Sequence, residues 1–371
     1  MKVRVIAALC VLIAVFAGCA SGHKQFTYVV GPGTNEVFGF THSSDGTLKA
    51  MGVPNFAVGS LPSAMAAHPS GDFMYIANFG GNNITLLDIN RSNGELSVPV
   101  SSSTVVPVAP PNIFPAGSGP IAIVASPAGP FLYAVNQGSG DISAFNIDPG
   151  AGGLGTILGS PYVITAGSHP TSIAISAKGD FLFTADPVLD KIGVFAIASD
   201  GKLTQATGSP FTVGAAGATP TFVATERSGR FIYVADPAHN VVLGFSVQGS
   251  GTLAPITGSP FAAGAAPSAL AVDPQGALLY AGNTTSNNVS AYVIDSTSGA
   301  LGPIAGSPFA TGGSGPSFLA VDANTSFLYV GEKVTNDVAV FAIASTGALT
   351  PVKGSPFNIA TPPTWIVSLK K

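Results

Sequence analysis

Charge is scarce in this chain of 371 residues: Lys, Arg, Asp and Glu make up only 9% of it, where roughly 25% is ordinary for a globular protein. The 14 basic and 18 acidic residues give a net charge of −4 with no basic stripe, which argues against nucleic acid as a partner. Cysteine occurs twice, as Cys10 and Cys19, and tryptophan once, as Trp365. A single tryptophan removes both a WD-type repeat and a broad aromatic platform for sugars. There is no Ser-His-Asp order, no zinc-ligand pair and no second long apolar run. GPGTNE and GSGD open no helix, so they are turns and not phosphate loops.

The one apolar run is N-terminal. Lys2 and Arg4 precede Val5–Phe16, a stretch too short and wrongly flanked to span a membrane, so residues 1–18 read as a leader. Ala17-Gly18 before Cys19 resembles the lipobox of bacterial lipoproteins. That resemblance implies cleavage before Cys19, lipidation of Cys19, a tether over residues 19–25 and an exported chain anchored by lipid at the cell envelope. Ala20, where Asp would signal retention, points to the outer membrane or its periplasmic side. An ordinary secretory leader with a chance cysteine is the alternative. If Cys10 leaves and Cys19 is acylated, no disulfide forms. Stability then rests on the core, and a 46% apolar composition is ample for one large domain.

What is present is repetition. Pro267–Phe309 contains three β-type runs, SALAV, LLYAGN and VSAYVI, separated by DPQG and TTSNN, with a weaker fourth in GALGPIAGSPF. A proline precedes the first run at Pro62, Pro120, Pro170, Pro220, Pro267, Pro316 and Pro363. An aromatic sits in the second at Tyr28, Tyr75, Tyr133, Phe183, Tyr233, Tyr280 and Tyr329. A period of about 49 residues with four strands per copy predicts an all-β, seven-bladed β-propeller over residues 26–371, with four antiparallel strands per blade. The N-terminal strands lack a first strand, which Thr364–Lys370 supplies to close the ring and leave no open edge. Small residues recur on the first strands at Ala66, Ala174, Ala224, Ala271 and Ala320, as crowding near the axis requires. Val124 and Val367 depart from this. Ser97–Ser118, uncharged and Pro-rich, is a long loop: either a lid over the channel or a neutral insertion. From the third copy on, Gly-Ser-Pro plus an aromatic marks the outer strand.

The repeat P-[ST]-x-[LI]-A-x-D-P-x-G-x-[FL]-L-Y-[VA], followed by V-x-[AV]-[FY]-x-I and G-S-P-F, resembles the lactonase-type seven-bladed propellers, which include cycloisomerase-like 6-phosphogluconolactonases and the fungal muconate-lactonising enzyme. The resemblance implies a site at one channel mouth. Around that mouth stand the residues leaving each second strand: Gly31, Asn78, Asn136, Asp186, Asp236, Asn283 and Glu332. Each caps its own loop, or together they bind a sugar, a lactone or a cation. Carboxylate and carbonyl oxygens would suit Ca²⁺, although no EF-hand-like spacing occurs, and no other cofactor is implied. The family register places His169 before an inner strand, Asp186 at the end of a second strand, and Asp190-Lys191 before a third. His169 would act as general base on water, and Lys191 would hold a carboxylate or the developing oxyanion. Thr171 and Ser172 stand where the family often has a second histidine, and lysine replaces an arginine. Glu226, Arg227, Arg230, His68, Asp273 and Asp322 fall in turns at the opposite end. His23 lies in the tether, and His42 and His239 are isolated.

Three functions follow. The first is a hydrolase for a neutral sugar lactone or a related lactone, export counting against the cytoplasmic 6-phosphogluconolactone. The second is an envelope binding module for a glycan or protein partner, and the third a scaffold without a small ligand. A monomer is expected. The residues alone leave catalysis open.

Overall fold

The computed structural model describes residues 25–99 and 112–370. The leader, Cys19, the tether up to residue 24 and most of the Ser97–Ser118 loop lie outside them. Seven antiparallel sheets follow one another along the chain, each ordered from inner to outer strand. In the fifth these are Pro267–Val272, Leu278–Asn283, Asn288–Ile294 and Leu301–Pro303. The ring closes as expected: Trp365–Lys370 pairs antiparallel with Gln25–Gly31, Val367 opposite Tyr28.

In the second to sixth blades the outer strand is broken at a Gly-Ser-Pro sequence. Leu253–Pro255 and Phe261–Ala262 both pair with Val241–Val247, and a Gly-Ser-Pro turn joins the two pieces. The serine has a role of its own there, because Ser259 Oγ accepts the Gly244 N–H at 3.0 Å, and Ser160, Ser209, Ser307 and Ser355 serve Ala144, Val194, Ala291 and Val340 alike. Without those hydroxyls, a buried strand amide would go unpaired at each break.

The second-strand tyrosines tie blade to blade. Tyr28, Tyr75, Tyr133, Tyr233 and Tyr280 are fully buried and donate to the carbonyls of Gly94, Gly152, Gly201, Gly299 and Gly347 in the next blade, at 2.6–3.0 Å. Those glycines have positive φ. A Cβ on Gly299 would also strike the Phe231 ring, so sterics and backbone conformation both demand glycine. Phe183 has no hydroxyl for this bond. At the closure Tyr329 OH meets His42 Nδ1 at 2.9 Å instead, and Thr27 Oγ1 meets His42 Nε2 at 2.6 Å. Burial pushes His42 down to about 4, against a weaker upward pull from Asp322. A neutral imidazole suits two hydroxyl partners. His42 is therefore a closure residue, not an isolated one.

Three large rings occupy the axis. Phe318 stacks on Trp365 with centroids 4.2 Å apart, and Phe222 lies 5.8 Å from Phe318 and 6.4 Å from Trp365. They come from the inner strands of the fourth, sixth and seventh blades, and Trp365 also packs against the cores of the first and second. Only a position at the centre of the ring reaches all of these. Two positions further along, Ala224 and Ala320 follow Phe222 and Phe318 as small residues, whereas Val367 follows Trp365, so large rings as well as small residues stand near the axis.

Candidate active site

The residues leaving the second strands do converge on one end of the ring, but they do not face solvent. Asn78, Asn136, Asp236, Asn283 and Glu332 are 0% exposed and Asp186 is 3% exposed. Each amide NH₂ is spent inside its own blade, while the three Oδ1 atoms are buried without a hydrogen bond. Asn78 Nδ2 donates to Asn83 Oδ1 and Thr85 Oγ1, Asn136 Nδ2 to Asp141 Oδ1 and Ser143 Oγ, and Asn283 Nδ2 to Asn288 Oδ1 and Ser290 Oγ. A glycine three residues before the blade's proline lies over each amide, so a Cβ at Gly59, Gly117 or Gly264 would come within 2.5–2.6 Å of it. These three asparagines lock loops. Among the described residues, no group of three or more His, Cys, Asp or Glu is arranged to hold a metal ion.

His169, Asp186 and Lys191 share one corner, yet not as a base with its orienting acid. Asp186 accepts from Ser168 Oγ at 2.6 Å and from the backbone N–H of His169, Val188 and Leu189 at 2.8, 3.0 and 3.1 Å. It is the peptide nitrogen of His169 that reaches the carboxylate, and the His169 side of the loop is exposed. Lys191 sits opposite Asp186 in the strand register and forms no ion pair with it. Asp190 has φ 56°, the left-handed hairpin position that Asn or Asp fills readily.

Glu332 follows another logic. Asp337 lies five residues on, but Ala339 stands where Thr85, Ser143 and Ser290 offer a hydroxyl. Both Glu332 oxygens are buried without a hydrogen bond. Burial first, and then the neighbouring Asp337, push its carboxyl up to about 8. As a neutral acid its O–H can do for Asp337 what the asparagine N–H does in the other blades. Between the usual carboxylate range and about pH 8 the folded state keeps a proton that the unfolded chain has lost. The stability this contributes is full in acid, falls as pH rises through that window, and is flat above it. At ~1.4 kcal/mol per pKa unit, a rise from 4.5 to about 8 corresponds to at most about 5 kcal/mol. Glu332→Gln supplies a permanent donor, so it is expected to raise the melting temperature by a few degrees at pH 8 and hardly at all at pH 5. An equal change at both pH values would contradict this origin.

One pair has the form the sequence reading sought elsewhere. His239 Nδ1 lies 2.7 Å from Asp236 Oδ2, the acid 1% and the imidazole 36% exposed. Asp236 Oδ1 takes the Thr219 N–H at 3.0 Å, and the Thr219 hydroxyl takes the Ala238 N–H at 3.2 Å, so both ends of the loop are fixed. The loop that faces it, Gly214–Gly217, carries no side chain larger than alanine and is exposed. With Nδ1–H given to the carboxylate, the free Nε2 is a hydrogen-bond acceptor open to solvent. His239 is thus not isolated. The spacing Asp236-Pro-Ala-His239, three residues from a second-strand end, was the available signal.

The model of the lactonase, seven-bladed β-propeller family matches residues 19–219 and 210–313. The chain belongs to the lactonase propeller family. No curated protein matches it in sequence. Among solved structures it resembles a proposed 6-phosphogluconolactonase from Bacteroides fragilis, at 20% identity and TM-score 0.76, covering 94% of this chain and 99% of that one. It also resembles the periplasmic gluconolactonase of Pseudomonas aeruginosa, at 18% identity and TM-score 0.75, with the same 94% and 99% coverage. At these identities the likeness is one of fold. In this chain the second-strand ends at Asn78, Asn136, Asp186 and Asn283 hold their own loops, while Glu332 and the Asp236–His239 pair depart from that pattern.

Proposed function

We propose that this lactonase-family propeller hydrolyses a neutral lactone beside the loop that leaves the second strand of its fourth blade, with His239 as general base and Asp236 as the group that orients it. The observation that carries the reading is the 2.7 Å bond between a buried carboxylate and a half-exposed imidazole. Asp236 fixes the tautomer, so Nε2 takes a proton from water while the water oxygen attacks the lactone carbonyl carbon. The imidazolium formed is stabilised by the carboxylate behind it. Collapse of the tetrahedral adduct breaks the ring C–O bond, and His239 returns the proton to the departing alkoxide. The product is the open hydroxy acid.

Neutrality of the substrate is read from the charges. Arg227 and Arg230, which could grip a phosphate dianion, lie in the turn between first and second strands, at the opposite end of the blade from His239. Export and a lipid anchor at Cys19 complete the proposal and place the reaction in the cell envelope. The test is turnover of a panel of neutral and phosphorylated sugar lactones, with the spontaneous rate subtracted. Neutral lactones are expected to be opened and phosphorylated ones not. Absence of turnover on every lactone would overturn the reading in favour of an envelope binding module for a glycan or protein partner.

A further inference from the structure

The chain has only four arginines, Arg4, Arg91, Arg227 and Arg230, and two of them stand three positions apart in one turn. Arg91 is paired with Asp72. Among the described residues, no carboxylate lies within ion-pair distance of Arg227 or Arg230. They border a groove of about 320 Å³ across the seam between the fourth and fifth blades, at the end of the ring opposite His239.

The guanidiniums are held, but by neutral atoms. Arg227 Nη1 donates to Pro274 O at 3.3 Å and to Gln275 Oε1 at 3.2 Å, both in the fifth blade. Arg230 Nε donates to Ser228 Oγ at 3.1 Å, its Nη2 to Ser296 O, and its plane lies over the Phe231 ring at 5.0 Å. Glu226, the acid in the groove wall, is 6% exposed. Its oxygens are saturated by Ser228 N and Oγ and by the N–H of Arg230 and Phe231. It shapes the turn and makes no ion pair with either guanidinium, whose remaining N–H groups stay available. Carbonyl bonds and an aromatic face pre-orient two planar forks, which lowers the cost of binding an oxyanion between them.

We infer that this groove is a second ligand site, for a small molecule bearing a carboxylate or phosphate group, held between Arg227 and Arg230. The inference does not rest on the proposed hydrolysis. With so few arginines, the side-chain Nε–H resonances form a sparse spectrum that single Arg→Lys variants assign. The probes are sodium gluconate for the carboxylate and inorganic phosphate for the phosphate, each titrated at constant ionic strength into the purified protein. Saturable shifts of Arg227 and Arg230, with Arg91 unmoved, are expected from at least one probe, and which probe saturates names the group recognised. Arg230→Lys keeps the charge but loses the fork, and is expected to weaken binding at least fivefold with the melting temperature unchanged. Linear, non-saturating shifts, equal shifts at Arg91, or full affinity in the lysine variant would overturn the assignment.

Discussion

Removal of Thr364–Lys371 is expected to abolish cooperative melting of the whole propeller. Trp365–Lys370 is the only inner strand of the seventh blade, and without it Gln25–Gly31 presents a bare edge of unpaired backbone groups. The deletion also takes Trp365 from the axis, where it stacks on Phe318 and touches the cores of several blades. Burial of about 200 Å² by one such ring is worth ~5 kcal/mol at roughly 25 cal/mol per Å². A domain of this kind has only ~5–15 kcal/mol in total, and the lost strand hydrogen bonds come on top. Trp365→Ala, which keeps the strand, is expected to lower stability by ~3–5 kcal/mol while a single transition remains. Calorimetry of the two variants checks both points. A truncated chain melting within a few degrees of the full one would show that ring closure does not hold the domain together.

The fold was legible because it is written seven times. The prolines before the inner strands and the second-strand aromatics counted the blades, and TWIVSLK at the C-terminus supplied the missing strand. Register between distant blades was not legible. Nothing local in Phe222, Phe318 or Trp365 says that they meet at the axis, and the small residues at Ala66 and its counterparts suggested that only small side chains fit there. Direction of side chains was the other gap. A polar residue at a second-strand end points to the mouth or back into its blade depending on its neighbours, and spacing carries part of that answer. Asn78 has Asn83 and Thr85 at five and seven positions on, a pattern repeated at Asn136 and Asn283. Ala339 breaks it after Glu332, whose carboxyl is pushed up by burial above all.

The same gap governs the histidines. His169 stands in the family register, but its peptide nitrogen, not its ring, meets the acid. His239 has no counterpart in the repeat, yet its loop turns the imidazole onto Asp236. Both blades end the second strand in Ala-Asp-Pro. In the third, Val188 and Leu189 amides satisfy the carboxylate, and in the fourth the imidazole does so. The choice between them is made by which donor the loop presents, and that is set in three dimensions.

The most direct test is the rate of hydrolysis of a neutral sugar lactone by His239→Gln, His169→Ala and the unaltered protein, with melting temperatures measured in parallel. Glutamine can keep a hydrogen bond to Asp236 but cannot take a proton from water. Loss of the base is expected to reduce turnover ~10²–10⁴-fold, with the melting temperature unchanged, while His169→Ala keeps most of its rate. Full turnover by His239→Gln, or loss confined to His169→Ala, would contradict the assignment of the Asp236–His239 pair as the hydrolytic centre.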